Sequence, residues 1–128
     1  MSIGASTTLD KLISEADFKK KIVDEAKRQG WLVFHPVKGN RDKRWYTASQ
    51  GDVGYPDLTL ARGGRVIFLE LKRHGRYATV AQERWLSELS GVEWARDKAF
   101  VADFTFCGDI VVGCVHPKDW SNIESLLQ

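Results

Sequence analysis

Residues 55–72 read YPDLTLARGGRVIFLELK, two apolar runs joined by Gly63-Gly64. A Gly-Gly pair between apolar runs predicts a two-residue β-hairpin, because both turn residues then need a positive φ angle. Counting the pairing outward from this turn places Asp57 opposite Glu70. The stretch therefore predicts two carboxylates that face each other at one end of a sheet.

An amine joins the two carboxylates, since Lys72 lies two residues beyond Glu70 and points to the same face. The preceding run, residues 66–69, is apolar at consecutive positions, so both faces of this strand are expected to be covered. Charges on such a strand are costly unless they are paired or bound to a metal. An ion pair between Lys72 and one acid is one interpretation, but it leaves the second carboxylate unexplained. A hard cation such as Mg²⁺ would use both acids.

The composition is that of an ordinary globular protein and predicts one domain over residues 1–128, with residues 1–13 as a loose tail containing a short helical turn. The net charge is only +2, so a signal for a nucleic-acid partner has to be local. Cys107 and Cys114 have no metal-ligand spacing. Neither a signal peptide nor a membrane span is apparent, and we expect a cytoplasmic protein with no membrane partner.

The first long helix is predicted over residues 15–29, with Ser14 as its N-cap and Gly30 after its end. Its buried stripe consists of Phe18, Ile22 and Ala26. Glu15 falls beside this stripe at about 100° per residue and is expected to point inward. The competing interpretation is that Glu15 is a first-turn acid that assists the cap.

Residues 38–54 hold four basic residues and two aromatics, and we expect them to form a long loop after a first strand at residues 31–37. Further basic residues follow Lys72. Such interleaving suits a phosphate backbone and exposed bases, although basic runs are also common on solvated surfaces. The candidate nucleic-acid-binding residues are Lys38, Arg41, Lys43, Arg44, Arg73 and Arg76.

A second helix is predicted after the hairpin, with Thr79 as its N-cap, Gln82 at the capping-box position and Gly91 at its end. Gln82 is thus either a cap residue or a first-turn residue near the carboxylates. Two strands, residues 98–106 and 109–115, and a final helix over residues 118–127 complete the prediction, with strand and loop both open for residues 94–103.

The arrangement Gly54-x-Pro56-Asp57, followed by Glu70-x-Lys72 after an apolar strand, resembles the PD-(D/E)xK nuclease superfamily. These two short motifs are weakly specific by themselves. Their order, together with an acidic helix before them and a glutamine-bearing helix after them, is much more specific.

More of the chain is similar to one branch, the VRR-NUC family. The agreement comprises the helix opening at residues 14–18, Gln82-x-x-Trp85 in the later helix, and residues 115–120. The resemblance spans about residues 14–120. The stretch between Gly91 and Ile110 departs from the family pattern by its added length.

The resemblance implies an α/β fold with a restriction-endonuclease-like core, a mixed central sheet flanked by helices in the order αβββαβ. It implies hydrolysis of DNA phosphodiester bonds with Mg²⁺ or Mn²⁺. The implied metal ligands are Asp57, Glu70, the backbone carbonyl of Leu71, and Glu15 directly or through water. Lys72 would orient or deprotonate the attacking water, and Gln82 would position the nucleophile or the lysine.

Three functions follow as hypotheses. The first is a structure-selective DNA endonuclease of the Holliday-junction-resolvase or flap and nick type, for which a homodimer would place two active sites on two strands. The second is a DNA-binding module that retains the nuclease fold but cuts nothing. The third is a structural ion-pair network of Asp57, Glu70 and Lys72 without metal or phosphate affinity.

Overall fold

The structure, a computed structural model, describes residues 7–36, 38–41, 44–47, 51–94 and 104–128. Its helices are α1 (Thr8–Leu12), α2 (Glu15–Arg28), α3 (Val80–Ser90) and α4 (Trp120–Leu127), and a 3₁₀ turn (Pro117–Asp119) precedes α4. Its strands are β1 (Leu32–Phe34), β2 (Lys38–Arg41), β3 (Arg44–Thr47), β4 (Leu58–Arg62), β5 (Arg65–Leu71), β6 (Phe104–Cys107) and β7 (Ile110–Val115).

The central sheet is mixed and has the order β1-β4-β5-β7-β6 among the described strands. β4 and β5 form the predicted antiparallel hairpin, in which Arg62 pairs with Arg65 and Leu58 with Leu69. Gly63 and Gly64 both have positive φ, at 56° and 83°, as the turn requires. β7 runs parallel to β5 on its other side. The hairpin prediction is therefore confirmed in both turn type and register.

Helices cover the two faces of this sheet. On one face, alternate residues of β4, β5 and β7 join α2 and α4 in the main apolar core, which includes Phe18, Ile22, Leu69 and Ile123. On the other face, α3 packs against β6 and β7. A mixed α/β architecture with flanking helices is thus confirmed, and Glu70 and Lys72 project from the α3 side because they alternate with Leu69 and Leu71.

Local signals explain the helix ends. The Ser14 hydroxyl accepts from the N–H of Asp17 at 3.0 Å, which confirms the predicted N-cap of α2. Thr79 and Gln82 form the predicted capping box of α3, and Gly91 ends that helix with φ of 72°. None of the described helices is both long and apolar enough to cross a membrane.

The expectation of a long loop over residues 38–54 is wrong for its first part. β2 and β3 pair as a separate antiparallel ribbon in which Arg41 lies opposite Arg44. The run of charged residues hid two short strands that pair with each other through their backbones. The first strand is also shorter than residues 31–37, since β1 ends at Phe34.

Arg62 fastens the hairpin turn to the ends of two helices. Its guanidinium donates to the carbonyls of Gln29 at 2.8 Å, Leu127 at 3.1 Å and Gln128 at 2.7 Å. It also lies 4.5 Å from the ring centre of Trp31. Unpaired carbonyls at helix C-termini favour a cation, so one side chain stabilises the ends of α2 and α4 together.

We predict that Arg62→Ala lowers the free energy of unfolding by about 1–3 kcal/mol, because hydrogen bonds from a charged group to helix-terminal carbonyls are lost. Urea unfolding measures this change. Lys20→Ala is the matched control, since its solvent-exposed pair with Asp24 is screened by water and is expected to contribute much less than the Arg62 contacts. Equal losses for the two variants would contradict this role of Arg62.

Candidate metal and phosphate site

Asp57 lies at the entry to β4, one position beyond the last hairpin pair, Leu58 and Leu69. Its Oδ2 accepts a hydrogen bond from the backbone N–H of Leu71 at 2.9 Å. The carboxylate is therefore fixed to the backbone of the neighbouring strand, directly after Glu70. This contact brings the two predicted acids together at the same end of the sheet.

Glu70 is the buried acid of the pair, with 1% of its surface exposed. The amine of Lys72 lies 3.3 Å from Oε2 of Glu70, within ion-pair distance. Among the described residues, however, neither carboxylate oxygen of Glu70 has a partner with hydrogen-bond geometry. Buried polar atoms are nearly always hydrogen-bonded, so these two oxygens require an explanation.

The pKa of Glu70 shows that the neighbouring protein groups compensate a negative charge on this side chain only in part. Burial, reinforced by the carboxylate of Asp57, raises the pKa of Glu70 to about 9, and Lys72 opposes this only in part. A structural ion pair would instead lower the pKa of its acid. Glu70 thus carries a proton at neutral pH unless a further cation is present.

The structure does not support an inward position for Glu15. This side chain is exposed at the first residue of α2, because burial of the helix stripe begins one turn later, at Phe18. Among the described residues, no three His, Cys, Asp or Glu side chains lie together as a metal-binding group. Glu15 is therefore not joined with Asp57 and Glu70, and the expectation that it points inward is wrong.

Gln82 is engaged in the cap of α3. Its Oε1 accepts from the backbone N–H of Thr79 at 2.8 Å, and its own N–H donates to the Thr79 hydroxyl at 3.2 Å. Capping accounts for these contacts of Gln82. A role in positioning the nucleophile stays a prediction.

The candidate phosphate-binding residues occupy two segments. Arg73 and Arg76 are exposed immediately after Lys72. Lys38, Arg41 and Arg44 belong to the β2–β3 ribbon. Lys43 lies outside the described residues.

Sequence reasoning missed the contribution of β7 to this end of the sheet. Cys114 pairs in register with Glu70, and burial, with the nearby Glu70 charge, raises the pKa of its thiol to about 12. When this register is continued two residues beyond Glu70 and Cys114, His116 lies beside Lys72. Asp119 is also buried, with 4% of its surface exposed. Alternation along β7 was visible in the sequence, but its register against β5 was not.

A close backbone contact places the segment that leads to Asp57. Gly54 has φ of 95°, and a Cβ atom there would lie 2.6 Å from the carbonyl carbon and oxygen of Ala81. Only glycine fits such an approach. Tyr55 then packs edge-on against Trp85 of α3, with ring centres 5.0 Å apart. The approach to Asp57 is thus packed directly onto the first turns of α3.

The donor set fits a hard divalent cation. Asp57 and Glu70 present two carboxylates, and the Glu70 oxygens have no hydrogen-bond partner in the segments that the structure describes. Mg²⁺ is commonly held by one or two carboxylates, with waters and substrate phosphate completing its shell, so a third acid is not required. The amine of Lys72 lies at the same place and could contact an anionic substrate. This end of the sheet can therefore hold a cation together with a phosphate.

We predict that Gly54→Ala destabilises the protein by more than about 2 kcal/mol relative to Gly51→Ala. Both glycines have positive φ, but no atom of the described residues lies within 4 Å of a Cβ at Gly51. The comparison therefore isolates the contact with α3. Thermal unfolding of both variants measures it, and equal stabilities would contradict the close packing described here.

We predict that the metal-free protein loses stability relative to Glu70→Gln as the pH rises from about 4.5 to about 9. The folded pKa of Glu70 lies above its ordinary value of 4.5, so its stabilising contribution is complete below pH 4.5 and declines toward pH 9. Denaturant unfolding in EDTA should show a relative loss of about 1 kcal/mol or more. Parallel pH curves for the two proteins would exclude a raised pKa at Glu70.

Comparisons with protein-family models, with curated proteins and with solved structures each give no match.

Proposed function

We propose that this chain is a divalent-metal-dependent DNA endonuclease that hydrolyses phosphodiester bonds. One observation carries the proposal. The almost fully buried carboxyl group of Glu70 lies beside a second carboxylate and an amine, and within the described part of the chain neither of its oxygens has a hydrogen-bond partner. Metal binding gives this otherwise costly arrangement a purpose, because a cation would compensate the buried charge.

We assign the chain to the VRR-NUC family of the PD-(D/E)xK superfamily as part of the same proposal. The motif residues Asp57, Glu70 and Lys72 lie together at one end of the mixed sheet. The succession α2, β1, β4, β5, α3, β7 supports a restriction-endonuclease-like core in the order αβββαβ, with β6 added at the sheet edge.

Asp57 and Glu70 would hold Mg²⁺ or Mn²⁺, and the backbone carbonyl of Leu71 is the further ligand implied by the family. When bound, such a cation polarises a phosphate oxygen and lowers the pKa of its bound water. Asp57 is already oriented by the N–H of Leu71, so its carboxylate needs little rearrangement on binding. Glu15 has no part in this proposal because it is exposed.

Lys72 is the residue that would face the scissile phosphate. Its side chain is 12% exposed, and its backbone N–H donates to the carbonyl of Val115 at 2.9 Å. The backbone of Lys72 is thus fixed on the strand ladder, and its ammonium group would stabilise negative charge that develops on the phosphate. Arg73 and Arg76 supply further charge for the DNA backbone, without reading base sequence.

A substrate defined by structure rather than by sequence fits these phosphate-directed contacts. Cleavage of a four-way junction would call for a homodimer, with one active site for each of two strands. A flap or nick substrate would not. A cytoplasmic location, in a bacterium or a phage-infected cell, belongs to the same proposal.

We predict that Asp57→Asn, Glu70→Gln and Lys72→Ala each reduce cleavage of labelled DNA by about 10²-fold or more in Mg²⁺ or Mn²⁺. Each change removes a cation ligand or the ammonium group. The substrate panel comprises four-way junction, flap, nicked, single-stranded and duplex DNA. EDTA should abolish cleavage, and Asp24→Asn, an exposed carboxylate of α2, serves as the matched control.

The variants also discriminate between the competing functions. Unchanged cleavage by a folded Asp57→Asn or Lys72→Ala protein would contradict the mechanism. DNA binding without cleavage in either metal would favour a non-catalytic module. Failure of Mg²⁺ and Mn²⁺ to raise the melting temperature of the unmodified protein would favour the structural ion pair. A large loss for Glu15→Gln would reinstate Glu15 as a participant.

A further inference from the structure

The chain makes a tight turn directly after Lys72. The N–H of Arg76 donates to the carbonyl of Arg73 at 3.1 Å, and Gly75 supplies a positive φ of 79°. These are the hydrogen bond and the third-residue conformation of a β-turn, whose end residues lie within about 7 Å of each other. The turn therefore presents two exposed arginines, Arg73 and Arg76, from neighbouring positions.

One side chain from a distant part of the sequence is bonded to this turn. Nε2 of His116 lies 2.7 Å from the carbonyl oxygen of Arg76, forty residues earlier in the chain. A carbonyl only accepts, so Nε2 carries the hydrogen in this contact. The ring of Tyr77 also meets His116 edge-on, with ring centres 6.4 Å apart.

Asp119, which follows His116 in the 3₁₀ turn, contacts both its backbone and its ring. The backbone N–H of His116 donates to Oδ2 of Asp119 at 2.8 Å, and the same oxygen lies 3.9 Å from Nδ1 of His116. Asp119 is buried, and its turn continues into α4. The parallel register that pairs Leu71 with Val115 places His116 next to Lys72. The imidazole therefore connects a rigid element to the arginine turn beside the candidate site.

We propose that His116 is a positioning residue for the DNA substrate, and that its Nε2–H bond to Arg76 holds the Arg73–Arg76 turn as a two-arginine clamp for backbone phosphates. The inference rests on the proposed DNA-directed function and deepens it. His116 does not react, since Nε2–H is committed to a backbone carbonyl. Its contribution is to fix two cations where DNA must lie to reach Lys72.

The fixed turn matters because arginine side chains lose conformational entropy when they bind. A turn that is already anchored at its last residue loses less conformational entropy when it binds DNA. Lys72 is held separately by the strand ladder through Val115. Loss of the His116 bond should consequently weaken DNA binding while leaving the chemical step largely intact.

Three substitutions separate the hydrogen bond from the bulk of the ring. In His116→Gln the amide nitrogen reaches the place of Nε2 and keeps the donor, whereas the shorter amide of His116→Asn reaches only the place of Nδ1. His116→Ala removes both the hydrogen bond and the bulk of the ring. We predict that KM for a short fluorescein-labelled duplex rises about tenfold in the Ala and Asn variants, changes less than about threefold in Gln, and that kcat stays within about threefold in all.

The salt dependence of binding provides a readout that general destabilisation would not move. Fluorescence anisotropy is measured in the Asp57→Asn background with EDTA, a condition in which cleavage is expected to be abolished. The slope of log K against log salt concentration should fall by about 1 or more when His116→Ala is added, because a phosphate contact is lost. In a background of Arg73→Ala with Arg76→Ala, adding His116→Ala should change affinity less than about twofold.

The outcomes distinguish this inference from the proposed nuclease function. If the unmodified chain cuts DNA but the Gln and Asn variants behave alike, the His116 inference is overturned and the nuclease stands. If the chain cuts nothing, the nuclease proposal fails. If the His116→Asn variant still binds DNA more weakly than the His116→Gln variant, that result supports the clamp. An unchanged salt slope, or full additivity with the arginine substitutions, overturns the clamp.

Discussion

The desolvation of one carboxyl group, that of Glu70, dominates the chemistry of this molecule. The side chain projects from the strand that lies between an antiparallel and a parallel neighbour, and α3 packs against the same face of the sheet. An isolated ionised carboxylate is too costly at such a position, so the group is protonated in the protein alone. At neutral pH the ionised form of Glu70 is therefore unfavourable with Lys72 as its neighbouring cation.

The surrounding structure keeps that cost from being relieved by rearrangement. Asp57 cannot swing away easily, because its carboxylate is bonded to the backbone of Leu71 and its approach is packed onto α3 at Gly54. Arg62 ties the far end of the same hairpin to the C-termini of two helices. The hairpin thus holds an energetically unfavourable group, Asp57, Glu70 and Lys72, at one end. Functional sites commonly carry such a cost in stability.

Much of this could be predicted from the sequence, where the governing interactions are local. Gly63-Gly64 determined the register of the hairpin and hence the meeting of Asp57 with Glu70, and Ser14 and Thr79 marked the helix starts. Two errors have a physical origin. The helical periodicity of Glu15 does not say where burial begins, and the charged side chains of residues 38–47 obscured a ribbon held by backbone bonds. The parallel pairing that brings His116 to Lys72 depends on a long crossover, and no local signal encodes its register.

The most direct test of the central claim is a crystal structure of the unmodified protein grown with Mn²⁺, whose anomalous scattering locates the ion. We predict a peak bonded to oxygens of Asp57 and Glu70 at about 2.0–2.2 Å, with waters completing the shell. In that structure the oxygens of Glu70 would no longer lack partners. An empty site, with Glu70 in contact with Lys72 alone at saturating Mn²⁺, would contradict the account.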